Sequence, residues 1–370
     1  MRAEKHQNWA RPTASGRRAI LLVSGMTRFA VAMFILVIFF ATCVTDADTQ
    51  AKNDDDTTTV YTVNRLLAPG INLGNALEAP NEGEWGVTIQ DSYFDTIKSA
   101  GFNAVRIPIR WSAHAAADSP YTISPVFMNR VRHVVSTALT KNLAVVINIH
   151  HYDEIFQSPS VHQARFLSLW RQIGVQFKDA SNHLVFEILN EPHDQLTASL
   201  WNEYLSSALA VIRETNPHRT VIIGVAEWGG LAALNKLSIP ESDTNLIVTL
   251  HYYEPFSFTH QGAEWVTGSN EWLGTTWMAT TTEKSNLEEN FDQIKVWADD
   301  HHRPIFIGEF GAYSKADMTS RALWTQYVVS ACQERDFSWA YWEFCSGFGA
   351  FDTKTGTWRQ SLLNALIQSP

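Results

Sequence analysis

The sequence LVFEILNEP, at Leu184–Pro192, is an apolar run that stops abruptly at Asn190 and Glu191. Four strand-favouring residues followed by an acid and a breaker predict a buried parallel strand that carries one carboxylate to its carboxyl end. A second run, PIFIGEFG at Pro304–Gly311, repeats the arrangement with Glu309. The two glutamates are far apart in the sequence, so they can meet only if both strands belong to one closed sheet.

Strand and helix patterns alternate along the chain from Tyr61 onward. Eight strand-like runs separated by helices predict an α/β fold, a (β/α)8 TIM barrel, whose functional residues lie at the carboxyl ends of the strands. No repeat, low-complexity tract or Pro-rich linker interrupts this part, so we expect one catalytic domain over residues 61–370. The eight runs are Gly70–Leu73, Ala104–Ile109, Ala144–Ile149, Leu184–Leu189, Thr220–Gly224, Leu246–Leu250, Pro304–Ile307 and Ser338–Tyr341.

Four local signals predict where helices begin. Three are capping boxes, in which an N-terminal hydroxyl and a polar side chain three residues later bind each other's backbone N–H groups. The fourth is a proline at the first helical position. These signals are Thr88 with Asp91, Ser160 with Gln163, Ser285 with Glu288, and Pro125 after Ser124.

Charge and composition restrict the class of partner. The 370-residue chain has a formal net charge of −10 and no Lys/Arg cluster interleaved with aromatic residues in its body, so we expect no nucleic-acid partner. A neutral substrate suits this balance better. The 14 Trp residues either stack on sugar faces or fill the core, and the sequence leaves both uses open. Cys43, Cys332 and Cys345 have no metal-ligand spacing and predict no disulfide framework.

The first 60 or so residues are predicted to lie outside the fold. Phe29–Val44, FAVAMFILVIFFATCV, is too short for a comfortable membrane span but has the length of a signal peptide's hydrophobic region. Residues 46–60 contain DDDTTT and lack apolar periodicity, which indicates a solvated polar tether. We therefore expect residues 1–45 to be a signal peptide or a lipoprotein or membrane anchor, and the protein to be exported.

The type of signal stays open. If translation begins at Met26, the residues MTR form a compact positive region, whereas Arg17–Arg18 in the longer form is a weak match to a twin-arginine signal. Phe40–Cys43 resembles a bacterial lipoprotein cleavage site, although two of its positions depart from the usual pattern. Lipid attachment at Cys43, ordinary cleavage nearby and an uncleaved anchor are the alternatives. Any membrane attachment is expected through this segment only.

Polar and aromatic residues occur at the ends of seven of the eight predicted strands. A single His at a strand end is more often a structural hydrogen-bonding group than a functional one. Agreement among seven strands is much harder to explain in this way, and it predicts one functional mouth on the barrel. In chain order the residues are Gly74–Asn75, Arg106, His150–His151, Asn190–Glu191, His251–Tyr253, Glu309 and Trp342–Glu343.

Seven longer strings place this pattern in a known family. GINLGNALEAPNEGEWG, VRIPIRW, VVINIHHY, FEILNEPH, TLHYYEPFSFTHQGAEW, IGEFGAY and AYWEFCSGFG resemble glycoside hydrolase family 5, from about Leu67 to Leu366. Within that family they most resemble subfamily 25, which includes dual-specificity cellulase/mannanases of thermophilic bacteria. The resemblance implies a retaining endo-β-1,4-glucanase that acts on β-1,4-linked glucans and glucomannan, with some β-mannanase activity.

The resemblance also implies roles for individual residues. Glu191 matches the general acid/base and Glu309 the nucleophile. The remaining family positions around the cleaved bond are matched by Arg106, His150, Asn190, His251, Tyr253 and Trp342. The loops of this branch's cleft are matched by Asn75, Glu78, His151, His260, Trp265, Glu343 and Phe348, which we expect to contact substrate.

The chemistry of retaining hydrolysis explains these residue types. It needs two carboxyl groups about 5–5.5 Å apart, one to attack the anomeric carbon and one to protonate the departing oxygen. Arg106 and Tyr253 are expected to keep Glu309 ionised, and the charge of Glu309 is expected to raise the pKa of Glu191. Asn190 would bind the sugar 2-hydroxyl, and Trp342 would form the floor of the site.

Several alternatives accompany this interpretation. Glu187, within its strand, is expected to neutralise an arginine inside the barrel, and Glu227 to be structural. A non-catalytic sugar-binding protein would have no reason to keep both glutamates, whereas a transglycosylase, a mannanase or a xyloglucanase would share them. His150 and His151 are adjacent rather than one helical turn apart, so we expect no metal and no cofactor. The expected partner is a β-1,4-linked polysaccharide, bound by a monomer.

Overall fold

Eight parallel strands close into a barrel in the computed structural model, which describes residues 59–367. Each strand pairs with the next in the chain, and the first also pairs with the eighth. The predicted (β/α)8 barrel is therefore confirmed. The strands are β1 Gly70–Asn72, β2 Ala104–Ile107, β3 Ala144–Asn148, β4 Leu184–Glu187, β5 Val221–Gly224, β6 Leu246–His251, β7 Ile305–Glu309 and β8 Ser338–Tyr341.

Helices surround this sheet, and a short antiparallel hairpin follows β8. The hairpin strands are β9 Phe351–Asp352 and β10 Thr357–Trp358. Single 3-10 turns lie at Trp111–His114, Leu231–Lys236 and Ser269–Trp272. The α-helices are α1 Val60–Leu66, α2 Asp91–Ser99, α3 Pro125–Thr140, α4 Asp153–Gln157, α5 Pro159–Phe177, α6 Ala198–Arg213, α7 Phe256–Thr259, α8 Thr281–His301, α9 Met318–Glu334 and α10 Gln360–Leu366.

Strands β1 to β4 end one to two residues earlier than the apolar runs indicated. Beyond β4 the chain still bonds to both neighbours, because Ile188 N–H donates to Ile222 O and Asn190 N–H donates to Ile149 O. These contacts no longer form a regular ladder, since the backbone turns toward the mouth. A register shift at Leu250/His251 marks the same change where β6 meets β7.

Helix α1 closes the amino-terminal end of the barrel. Val60 and Val63 pack on the small apolar side chains inside the sheet. The Asn64 side-chain amide donates to Ile305 O at 3.0 Å and accepts from the Ser338 hydroxyl at 2.7 Å. Val60, which was assigned to the tether, thus belongs to the barrel, because a valine at this depth removes apolar surface from water.

Only one of the four predicted helix-start signals is confirmed. Pro125 begins α3 as predicted. The three predicted capping boxes are wrong, because Thr88 lies outside α2, and Ser160 and Ser285 lie inside α5 and α8. The capping box that forms is Thr280 with Glu283, at the start of α8. A hydroxyl followed three residues later by a polar side chain recurs on any solvated helix face, so the spacing alone does not locate an end.

The predicted signal or anchor over residues 1–45, and the tether apart from its last two residues, lie outside the described residues. Between residues 59 and 367, no helix has the length and apolar content needed to cross a membrane.

Candidate active site

A layer of buried polar residues lies inside the barrel beneath its mouth. Asn72 and Arg106 are register partners on β1 and β2, and Asn148 and Glu187 are partners on β3 and β4. Arg106 is buried and donates to both carboxylate oxygens of Glu187, at 2.6 and 2.7 Å. Glu187 therefore neutralises Arg106, as the sequence predicted. Without such a partner a guanidinium would be very costly to bury.

Arg106 also reaches upward to the mouth. Its guanidinium donates to Glu309 Oε1 at 2.6 Å and to Asn190 Oδ1 at 2.7 Å. The Tyr253 hydroxyl donates to the other oxygen of Glu309, at 3.0 Å. Both oxygens of Glu309 are thus held by donors, which fixes the direction in which this carboxylate faces.

Glu191 and Glu309 meet through a histidine. His251 Nδ1 lies 2.7 Å from Glu191 Oε1 and 3.6 Å from Glu309 Oε2. One oxygen of each carboxylate and one nitrogen of His251 all lie within 4.8 Å of one another. The two glutamates of the opening strand patterns, on β4 and β7, are therefore neighbours at the mouth of one closed sheet.

The charges around these carboxylates set their pKa values in an order that was not expected. Burial raises the pKa of Glu309, and the positive charges of His251 and Arg106 offset this only in part. Burial also acts on Glu191, but the adjacent charge of His251 outweighs it and lowers the pKa of Glu191. These directions are opposite to the expected order, with Glu309 low and Glu191 high, because that expectation neglected the positive charge that His251 can carry between the two acids.

His251 itself holds a proton readily. Burial disfavours its charged form, but the two carboxylates outweigh burial and raise the pKa of His251. His150 behaves in the opposite way, since its burial, with the nearby positive charges, keeps its pKa well below the ordinary value. Of the two histidines, His251 therefore holds a proton more readily than His150.

The cleft above this layer has a volume of about 1670 Å³. Of the 15 predicted site residues, all except Arg106 and Glu343 line it. Arg106 lies beneath the cleft, in the buried layer. The thirteen lining residues are Asn75, Glu78, His150, His151, Asn190, Glu191, His251, Tyr253, His260, Trp265, Glu309, Trp342 and Phe348.

Trp342 and Asn190 are held beside the carboxylates. The Trp342 ring lies parallel to that of His150, with 5.7 Å between the ring centres. A Cβ at Gly74 would come within 3.0 Å of the same indole, so only glycine lets the loop after β1 approach it. The Asn190 amide nitrogen lies 3.4 Å from Glu191 Oε2, while its oxygen accepts from Arg106.

Two of the predicted contact residues bind backbone N–H groups through their carboxylates. Glu343 is fully buried, and its carboxylate accepts N–H groups from Cys345, Ser346 and Phe348 at 2.7–3.2 Å. Glu78 is equally buried and accepts the N–H groups of Asn75 and Ala76. Burial raises the pKa of Glu78 to about 8 and that of Glu343 to about 7. Both side chains shape loops at the edge of the cleft, because carboxylates satisfy several turn N–H groups at once.

Tryptophan occurs both in the core and in the cleft. Six tryptophans among the described residues are fully buried core: Trp111, Trp170, Trp201, Trp277, Trp324 and Trp339. Trp85, Trp228 and Trp265 instead expose their rings in the cleft. Trp265 lies edge-on to Tyr313 with 4.9 Å between ring centres.

Trp85 and Trp228 were missed by the sequence reasoning. Trp228 is 57% exposed and stacks on His193, with 3.4 Å between ring centres. His193 Nδ1 is in turn 2.5 Å from the backbone oxygen of Glu191. Trp228 follows β5, so the strand-end rule could have found it. Its neighbour Glu227, the residue that was considered there, pairs with Lys236 at 2.5 Å.

Comparison with known proteins gives one consistent family. The model for cellulases of glycosyl hydrolase family 5 matches residues 68–347. Endoglucanase H of Acetivibrio thermocellus is 39% identical over 311 residues, which cover 82% of this chain and 33% of that protein. Endoglucanase B of Clostridium cellulovorans is 28% identical over 365 residues, covering 91% and 81%. The chain thus spans a third of Endoglucanase H and most of Endoglucanase B.

Solved structures agree with the sequence comparison. Thermotoga maritima Cel5A, crystallised with mannotriose and with cellobiose, is 56% identical to this chain. Its structure superposes with a TM-score of 0.82, covering 83% of this chain and 99% of that one. Fold, strand-end residues and family model lead to the same result, and the chain belongs to glycosyl hydrolase family 5.

Proposed function

We propose that this protein is a retaining endo-β-1,4-glucanase that cleaves β-1,4-linked glucans and glucomannan. The observation that carries the proposal is the close approach of Glu191 and Glu309 around His251. Oxygens within 4.8 Å suit direct attack by one carboxylate, whereas inverting enzymes separate the two groups by about 6.5–9.5 Å to admit a water. The named endoglucanase relatives support the substrate class.

In the proposed reaction Glu309 attacks the anomeric carbon. Arg106 and Tyr253 hold both of its oxygens, so the carboxylate needs no reorientation before attack. The site is prepared in this way before the substrate arrives.

The proton for the leaving oxygen comes from Glu191. His251, whose pKa the two carboxylates raise, can hold that proton in the resting site and pass it to the Glu191 carboxyl through a hydrogen bond of 2.7 Å. After the leaving sugar takes the proton, the ionised Glu191 accepts one from water as the glycosyl-enzyme is hydrolysed. The proton taken from water replaces the one given to the leaving sugar. The bond between Glu309 and the sugar breaks, which restores the free carboxylate.

The proposal includes measurable activity on mannan. Glucose and mannose differ in the orientation of the 2-hydroxyl, so a few polar contacts decide between them. The carboxylates of Glu78 and Glu343 are bound to backbone N–H groups. We therefore expect His151 to form the hydrogen bond to the 2-hydroxyl. Burial lowers the pKa of His151, so its neutral ring offers both a donor and an acceptor. The Cel5A protein crystallised with both cellobiose and mannotriose supports this breadth.

The natural location proposed for the enzyme is outside the cytoplasm, secreted or anchored at the bacterial envelope. The apolar segment Phe29–Val44 supports export, and polymeric substrate requires it.

A side-by-side substrate panel tests the proposal. Reducing-sugar release from carboxymethylcellulose, barley glucan, glucomannan and unsubstituted mannan should be highest on the glucose-containing polymers, with a rapid fall in viscosity that indicates internal cleavage. His151→Ala should change the glucan-to-mannan ratio of kcat/KM, while the surface variant His133→Asn should not. No activity on any glucan would refute the proposed function, and activity on glucan alone would refute the dual specificity.

A further inference from the structure

The atoms that Glu191, His251 and Glu309 turn toward one another form a set that metal ions bind. The set contains one imidazole nitrogen and two carboxylate oxygens, all within 4.8 Å. The residues come from the ends of β4, β6 and β7, so no sequence spacing revealed them. This is the one such group found among residues 59–367.

Two of the three separations within this set are close to those around a small tetrahedral ion. Zinc binds imidazole nitrogen and carboxylate oxygen at about 2.0–2.1 Å, which places neighbouring ligand atoms about 3.3 Å apart. His251 Nδ1 lies 2.7 Å from one carboxylate oxygen and 3.6 Å from the other. These two values bracket the tetrahedral separation, and the two carboxylate oxygens, which lie within 4.8 Å of each other, must approach to the same separation when the ion binds.

The ligand atoms are oriented by their other contacts. Arg106 holds Glu309 Oε1 at 2.6 Å, and Oε2, which accepts one hydrogen bond from the Tyr253 hydroxyl at 3.0 Å, keeps a second lone pair for an ion. The far nitrogen of His251 lies against the β7 backbone, where a Cβ at Gly308 would be only 3.3 Å from it. The imidazole therefore presents Nδ1 to the carboxylates, and the proton that it shares with Glu191 is released to solvent when an ion binds. Such outer contacts fix ligand geometry in protein metal sites.

We propose that Glu191, His251 and Glu309 bind a divalent transition-metal ion of the zinc and copper class, in competition with substrate. Two carboxylates balance the charge of the ion, and Arg106 is already balanced by Glu187. Three protein ligands leave the remaining coordination position directed into the cleft, where the scissile bond would lie. The bound ion is an inhibitor, because it engages both carboxylates that the proposed reaction requires.

The ligand set also defines which ions bind. An imidazole nitrogen with two oxygens suits zinc and copper. Calcium requires six to eight oxygen ligands, and magnesium demands octahedral oxygen geometry and gives up its water reluctantly. Three ligand atoms of mixed type meet neither requirement, so calcium and magnesium should not compete.

Titration calorimetry with zinc chloride on the purified, chelator-treated protein at pH 7 tests the binding directly. We expect one zinc site in the wild type, weakened at least tenfold in His251→Asn and in Glu309→Gln. The control His133→Asn removes a surface histidine that also lies 2.8 Å from a carboxylate, that of Asp91, and should bind zinc as the wild type does. Cellobiose should weaken zinc binding, and magnesium should produce no comparable heat. Circular dichroism establishes that each variant is folded.

Two results would overturn the inference. One is unchanged zinc affinity in both folded site variants, and the other is an equal loss in His133→Asn. The inhibitory effect rests on the proposed function, but the calorimetry does not. Site-dependent zinc binding by a protein that cleaves no glucan would refute the function alone, whereas glucan cleavage with zinc binding independent of these residues would refute the metal site alone.

Discussion

At the residue scale, Glu191 and Glu309 differ in what surrounds them. Glu309 is held at both oxygens by Arg106 and Tyr253, as a nucleophile with a fixed direction should be. Glu191 shares a hydrogen bond with His251, as a group that gains and loses a proton should. The local contacts therefore fit the different roles that we propose for two chemically identical side chains.

Chemical rescue distinguishes these roles. Glu191→Ala should lower kcat by about 10²–10⁴, the usual contribution of general acid–base catalysis, and Glu309→Ala should abolish turnover. With an activated aryl glycoside, azide should restore turnover in both variants. The product should be inverted in Glu309→Ala and retained in Glu191→Ala, because only the second still forms the glycosyl-enzyme. Identical stereochemistry in both rescues would show that the roles are misassigned.

The charge of His251 should be visible in the pH dependence. His251 opposes the burial that raises the pKa of Glu309, so removing its charge should raise that pKa further. In His251→Asn the acidic limb of the kcat/KM profile should therefore move to higher pH, because Glu309 must be ionised to attack. The control His133→Asn should keep the wild-type profile. An acidic limb that stays in place would mean that His251 carries no charge beside Glu309.

At the scale of elements, α1 covers the amino-terminal end of the barrel and packs against its interior, so it is part of the fold rather than a linker. Val63 is buried against the barrel interior, whereas Tyr61 on the same helix is 42% exposed. Val63→Ala should lower the free energy of unfolding by about 1–3 kcal/mol, from lost apolar burial and the cavity left behind. Tyr61→Ala should change it by no more than about 0.5 kcal/mol. Urea unfolding measures both free energies. Equal effects of the two substitutions would contradict the packing of α1 against the barrel interior.

The turn after β1 should make stability depend on pH through Glu78. Burial raises its pKa from 4.5 to about 8 in the folded protein. Between these values the folded state keeps a proton that the unfolded state has released, so stability falls as pH rises through this window. Glu78→Gln cannot titrate, and its free energy of unfolding should fall less between pH 5 and pH 8. A fall equal to that of the wild type would show that Glu78 is already ionised at pH 5.

At the scale of the whole molecule, the barrel and its mouth were predictable from the sequence. Buried parallel strands leave long apolar runs, and each run stops where the chain turns to present a polar group, as at Asn190 and Glu191. Strand ends of one parallel sheet must face the same way, so the gathering of these residues follows from topology. Glu187 and Arg106 could be paired because a barrel interior cannot hold an isolated charge.

What the sequence did not predict depends on loop geometry. Glu78 and Glu343 turn their carboxylates onto backbone N–H groups, and only the folded path of each loop decides this. The position of His251 between two acids reversed the expected pKa order for the same reason. Trp228 itself follows β5 and is within reach of the strand-end rule, but its stacking on His193, a residue of another loop, depends on the folded structure.

The configuration of the first-formed product tests the central claim most directly. Proton NMR can follow hydrolysis of a soluble β-1,4-linked gluco-oligosaccharide by the wild-type enzyme before the sugar mutarotates. Attack by Glu309 followed by attack of water inverts the anomeric carbon twice, so the β-anomer should appear first and the α-anomer only later. Initial appearance of the α-anomer would contradict the account, because it would mean that water attacks directly and that Glu309 forms no bond to the sugar.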